Sequence, residues 1–273
     1  FIDVLGSVAE TMITNNYADH IYTLSKGISW ITFQNECAAI RIDDQLCKQG
    51  KGITLYSSFK QNLKGDKMYT VFEDSEGDEW ILTNKGISII GKKQVDSDFP
   101  FQYIKEADGI IYLVSQSDKL ASYNFKTRQF KFIEIPYHVS MINEVKKFDS
   151  NTLLLATDNG LIIYKIKEKE FQLIDIRTST QPSNVVQSVY QDHYKELWIF
   201  PQTTGVIRYN PSTKEMQHLF TPANEVIRYE RKNKNVIFED RQHTLWVLPP
   251  EGNLSYYDRE NKELKPMLNR QYR

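Results

Sequence analysis

The chain has 273 residues, with 34 basic side chains against 35 acidic ones and a net charge of −1. That balance excludes the basic footprint a nucleic-acid backbone requires. No stretch approaches the ~20 apolar residues needed to span a bilayer, while 40% hydrophobic and 12% aromatic residues suffice for a continuous core.

In chain order, residues 1–10 lack the basic start and apolar middle of a secretory leader. A first pair of short apolar runs follows, at residues 28–31 around Trp30 and at 37–42. Cys37 and Cys47 are the two cysteines. They can close a small loop in an oxidising compartment if their Cα atoms come within about 7 Å, or stand as two free thiols. A clearer unit begins at Val71: an apolar stretch, Asp74, a polar turn, then Trp80 and Ile81. The same phrase returns at residues 189–199 with Asp192 and Trp198, and at 237–247 with Asp240 and Trp246. A copy without tryptophan centres on Leu154, and a more degenerate one on Tyr112.

After each tryptophan comes a turn bearing Gly (Gly86, Gly205, Gly252), then a third apolar run. A second polar turn such as Asn210-Pro211-Ser212 leads to a fourth run. Short β-branched and aromatic runs separated by such turns read as strands and hairpins. The equivalent positions Trp80, Tyr112, Leu154, Trp198 and Trp246 recur every 32–48 residues. Four strands in roughly 40–45 residues is one blade of a β-propeller. The expectation is an all-β propeller of four-stranded antiparallel blades with six recognisable repeats, either complete or part of a seven-bladed ring. Residues 1–273 then form a single propeller domain. The missing initiator Met and the stop just after a complete unit suggest a segment of a longer protein.

The tryptophans lie mid-strand at one equivalent place per unit, so they are expected to be buried packing residues rather than sugar platforms. Asp74, Asp192 and Asp240 start the first hairpin turn, where an Asx-type backbone contact is the plain expectation. The five histidines, His20, His138, His193, His218 and His243, show no metal-binding spacing, and no nucleophile elbow or nucleotide loop is present. No catalytic residue, metal or cofactor is therefore expected.

The phrase apolar-x-x-Asp, Leu-Trp-Ile, Thr-x-x-Gly and Tyr-Asn-Pro, clearest at residues 185–220, resembles the two-component regulator propeller repeat. The resemblance implies the periplasmic sensor region of a Bacteroides-type hybrid two-component system. Such a receptor joins propellers to an immunoglobulin-like domain, a membrane helix, a histidine kinase and a response regulator, and senses glycan fragments. It implies an oligosaccharide ligand, a neighbouring propeller and immunoglobulin-like domain as partners, and a homodimeric receptor. Alternating strand direction places the Asp turns at one end of every blade and the Gly turns and inter-blade links at the other. On the Gly-turn end the candidate ligand residues are Arg228, Tyr229 and Arg231, with Arg177, Asn184, Asn159 and Lys85. A stacking aromatic among cations suits a sugar, above all an acidic one. A protein-binding propeller without its own ligand, and a propeller hydrolase or lyase, are the alternatives.

Overall fold

The computed structural model describes residues 17–33, 38–57, 63, 65–91, 101–107, 109–115, 117–124, 127, 129–179, 181–203, 205–219, 236–248 and 254–267. The chain divides into two compact units, residues 1–134 and 135–273. Each holds three antiparallel meanders.

The first unit opens with a sheet of β1 (Ala18–Thr23), β2 (Ile28–Phe33), β3 (Ala38–Asp43) and β4 (Ile53–Ser57). A one-turn helix, α1 (Asp44–Cys47), sits between its last two strands, capped by the Asp43 carboxylate. The second sheet has β5 (Met68–Glu73), β6 (Glu79–Thr83) and β7 (Gly86–Ile89). A fourth strand after Gly91, weak in the sequence, falls outside the described residues. The third sheet has β8 (Phe101–Ala107), β9 (Ile110–Ser115), β10 (Leu120–Asn124) and β11 (Gln129–Ile133). The second unit repeats the plan. Its sheets are β12 (Ile142–Asp149) to β15 (Glu170–Ile174), β16 (Val186–Gln191) to β19 (Met216–Leu219), and β20 (Val236–Glu239) to β23 (Glu263–Pro266).

The second strands of the second, fourth and fifth sheets, β6, β13 (Thr152–Thr157) and β17 (Leu197–Pro201), are buried along their whole length. Such a strand lies inside a stack of sheets rather than on a solvated surface. The core is accordingly a series of joints. One cluster joins the first and second sheets through Trp30, Ala39, Val71 and Ile81. Trp80, Leu82, Phe101 and Tyr123 join the second to the third. Leu154, Ile163, Val189 and Ile199 join the fourth to the fifth. Trp198, Phe200, Leu245 and Tyr257 join the fifth to the sixth.

Trp30, Trp80 and Trp198 are fully buried. Trp246 departs from expectation and is only partly buried. The cause is local. Tyr123 of the third sheet lies edge-on against Trp80 at 5.4 Å, and Tyr257 of the sixth against Trp198 at 4.8 Å. The ring neighbours of Trp246 are Phe238 and Tyr256, both of its own sheet.

The recurring aspartate does two jobs at once. In each copy one carboxylate oxygen accepts backbone N–H groups of the turn: Glu76 and Asp78 for Asp74, Glu196 for Asp192, Gln242 and Thr244 for Asp240. The other oxygen accepts the indole N–H six residues on, at 2.8 Å for Trp80, 3.0 Å for Trp198 and 2.9 Å for Trp246. The first sheet has Leu24 at the aspartate position. There the Trp30 indole turns instead to Glu79 of the next sheet, at 2.6 Å, and Arg41 pairs with the same carboxylate.

A second contact repeats between sheets. The residue just after the aspartate position donates its backbone N–H to a glutamate at or next to the end of the first strand of the following sheet. Ser25 donates to Glu73 at 2.6 Å, Ser75 to Glu106 at 2.7 Å, and His193 to Glu239 at 2.8 Å. The serine hydroxyls bind the same carboxylates.

Candidate functional site

At the Gly-turn end of the fourth and fifth sheets, three loops converge. They are the turn of β13 into β14 (Gly160–Lys165), the link at residues 175–185, and the turn after β17. Gly160 makes the convergence possible. Its φ is +99°, and a Cβ there would meet the Ile174 carbonyl oxygen at 2.6 Å, so only glycine fits without a shift. Its N–H donates to the Asn184 carbonyl at 2.6 Å.

Asn184, 8% exposed, organises the link. Its Oδ1 accepts the Ile176 N–H at 2.9 Å, and its Nδ2 donates to Asn159 Oδ1 at 3.0 Å. Asn159 Nδ2 in turn donates to the His138 carbonyl at 3.0 Å. Gln181, also buried, donates from Nε2 to the Ser183 carbonyl at 3.0 Å and binds the Thr203 hydroxyl through Oε1. These amides form a hydrogen-bonded floor. Arg177 stands on its rim with an exposed guanidinium bonded to Asp175, Nε to Oδ1 at 2.9 Å. That bond holds the Asp175 carboxyl below its ordinary range and raises Arg177 above its own.

Two of the sequence candidates, Asn159 and Asn184, are thus brought together, with Arg177 on the same link. Their amides are largely taken up in holding the loops, a role spacing alone did not reveal. Lys85 lies in the other unit, exposed and paired with Asp66 at 2.6 Å, which lowers the Asp66 carboxyl. Arg228, Tyr229 and Arg231 lie outside the described residues, as does Cys37. Cys47 carries a free thiol. Gln181 and Thr203 were not foreseen as a pair, although Thr-x-Gly after the second strand marks the Thr203 turn in the sequence. The exposed Arg177 guanidinium, bonded to Asp175, is a charged group that these loops present to solvent. Among the described residues, no three His, Cys, Asp or Glu side chains are placed to hold a metal ion. No described helix is long and apolar enough to cross a membrane.

Comparison with known proteins places this architecture. The Cps50 (Swd1) β-propeller domain of Myceliophteria thermophila superposes with a TM-score of 0.58, at 13% identity, over 93% of this chain and 89% of that one. The fold is a β-propeller. Virginiamycin B lyase from Staphylococcus aureus gives 0.63 at 17% identity, over 90% of this chain and 83% of the lyase. The extracellular domain of the hybrid two-component system BT3049 from B. thetaiotaomicron gives 0.52 at 17% identity, over 92% of this chain and 39% of that domain. In sequence, the propeller is 22% identical over 261 residues to histidine kinase P4 of Formosa agariphila. That match covers 90% of this chain and 17% of the kinase. No protein-family model matches the chain.

Proposed function

We propose that this propeller is a non-catalytic sensor segment of a membrane-bound histidine-kinase receptor, lying on the periplasmic side and binding a glycan fragment. The observation that carries the reading is the match along 90% of the chain to a histidine kinase of which it covers 17%. The likeness to the extracellular domain of a hybrid two-component system supports it. In this reading residues 1–273 are one propeller of a longer, homodimeric receptor, beside a second propeller and an immunoglobulin-like domain. Sensing then requires that ligand favour one arrangement of the receptor over another.

The ligand end is the Gly-turn end. In this reading Arg228, Tyr229 and Arg231, which the sequence assigns to that end, contact the glycan, with Arg177 as a further charged candidate and the Asn159–Asn184 pair holding the loops. Calorimetry on the whole sensor region against a glycan panel tests this. Arg228→Ala is expected to weaken the glycan about 10- to 150-fold, the loss of one charge-assisted hydrogen bond. Gln242→Ala, in an Asp turn, is expected to leave affinity unchanged. Equal losses from both ends, or none from Arg228→Ala with Tyr229→Ala, would discard the placement.

A second reading rests on the likeness to virginiamycin B lyase. It predicts turnover by the isolated chain. New reducing ends from glycans, or turnover of virginiamycin B, abolished by one acid or histidine substitution, would favour it over sensing.

A further inference from the structure

The residue after the turn-aspartate position is serine at two of the glutamate contacts and histidine at the third, and the histidine leaves a carboxylate oxygen unmet. Ser25 and Ser75 each fill both oxygens of the facing glutamate. The backbone N–H goes to Oε2 and the hydroxyl to Oε1, in Glu73 and in Glu106 alike. Where the fifth sheet meets the sixth, His193 gives its N–H to Glu239 Oε2 and has no hydroxyl to offer. Glu239 Oε1 is buried and has no hydrogen-bond partner among the described residues, a costly state for a charged acceptor.

A second histidine stands beside the gap. His243, in the corresponding turn of the sixth sheet, has a left-handed backbone with φ of +61°. Its ring stacks on His193, with centroids 3.7 Å apart and planes within 16°. Its Nδ1 lies 3.8 Å from Glu239 Oε1, too far for a hydrogen bond. An imidazolium at that place is drawn inward and donates to the waiting oxygen. The stack admits one such charge, because two positive rings at 3.7 Å repel. The other charged groups around the pair are already engaged or open to solvent. Arg259 lies over the Tyr194 ring at 4.0 Å and pairs with Asp192 and Glu196, and Tyr194 meets His193 edge-on. Asp192 and Asp240 accept turn N–H groups and the indoles. Burial, with the Glu239 and Asp192 carboxylates, raises the Tyr190 phenol, which stays neutral. Lys195 and Arg241 beside the histidines are exposed, so solvent and salt screen them.

We propose that this joint is a proton-dependent clasp. One proton on the stacked pair, held at His243 Nδ1, completes the second bond to Glu239 that serine makes at the other contacts. In the folded joint the proton has a partner that the unfolded chain lacks. Its contribution is therefore present at low pH and lost as pH rises through the span where imidazole changes charge. Acidity then acts at the Asp-turn end, opposite the loops assigned to the glycan.

Urea unfolding of the parent chain and two variants, at about pH 7.5 and about pH 5.5, tests this. Asparagine tolerates the left-handed backbone, so His243→Asn removes the ring and keeps the turn. The advantage of the parent over His243→Asn is expected to grow about 2- to 5-fold in the folding constant at the lower pH, the size of a partly exposed ion pair. Comparing variant with parent cancels what His218 and other distant groups contribute. His193→Ser restores the hydroxyl, and its gain over the parent should be largest at the higher pH. In NMR the His193 amide should shift together with the His243 ring signals across this span, and should stay still in His243→Asn. An equal parent advantage at both pH values overturns the proposal, as does a His193→Ser chain that keeps the acid gain. A gain that disappears when EDTA is added also overturns it and assigns the pair to a metal ion.

Discussion

Asp192 shows how much one side chain settles. Its oxygens accept the turn N–H of Glu196, the Trp198 indole and the Arg259 guanidinium, the last at 2.8 Å from the next sheet. Trp198→Phe keeps an aromatic side chain but loses the N–H donor and part of the buried ring volume, while Arg259 continues to satisfy the carboxylate. The expected cost is about 2–3 kcal/mol by urea unfolding, one hydrogen bond plus a small cavity. Trp198→Ala empties the joint and is expected to cost about 3–5 kcal/mol. The sequence announced both residues through their fixed spacing. It did not announce their bond, because an aspartate that caps a turn and one that also binds an indole leave the same trace in a single chain.

His218 in β19 yields a pH prediction. Burial lowers its imidazole below the ordinary value, and its Nε2 has no hydrogen-bond partner among the described residues. The unfolded chain therefore binds more protons than the folded one through the histidine range. Stability is full above about pH 6.5 and falls as pH drops through the folded value. Thermal unfolding between pH 7.5 and 5 should show that slope, and His218→Gln should flatten it. An unchanged slope in the variant would remove His218 as its source.

At the scale of the element, the sheets are held by apolar joints and by the glutamate contacts at the Asp-turn end. Glu106→Ala strips the acceptor from both the N–H and the hydroxyl of Ser75. The expected loss is about 1 kcal/mol, since the site is half solvated. Glu106→Gln retains an acceptor and should recover most of it, and chemical denaturation of the two variants reads the difference. The meanders themselves were legible because strand period, turn residues and tryptophan spacing are local signals. The glutamate contacts were not. Glu106 lies 31 residues from Ser75 in sequence, and nothing local to either residue names the other. Tyr257 against Trp198 escaped for the same reason. The difference between Trp246 and its counterparts follows, because burial there depends on the next sheet.

Across the whole molecule, each cluster joins one sheet to its neighbour in sequence. Stability in such an array is close to a sum over neighbouring pairs. Trp80→Ala should therefore reduce amide hydrogen-exchange protection in β5–β11 well before it reaches β20–β23. Uniform loss across all strands would show cooperativity that the separate clusters do not predict. Of the candidate site, the sequence located the Gly-turn loops and the Asn159 and Asn184 amides within them. It did not show that those amides hold the loops, because an asparagine bonded within a loop and an open one look alike in sequence.

The glutamate contact has one further consequence. Its donor is a backbone N–H, which every non-proline residue supplies, so Ser25, Ser75 and His193 all make it, the serines adding a hydroxyl bond. Duplicating in frame a repeat that carries the acceptor glutamate, such as the one with Glu73, would therefore bring both halves of this contact to the new junction, leaving the Gly-turn loops free to diverge.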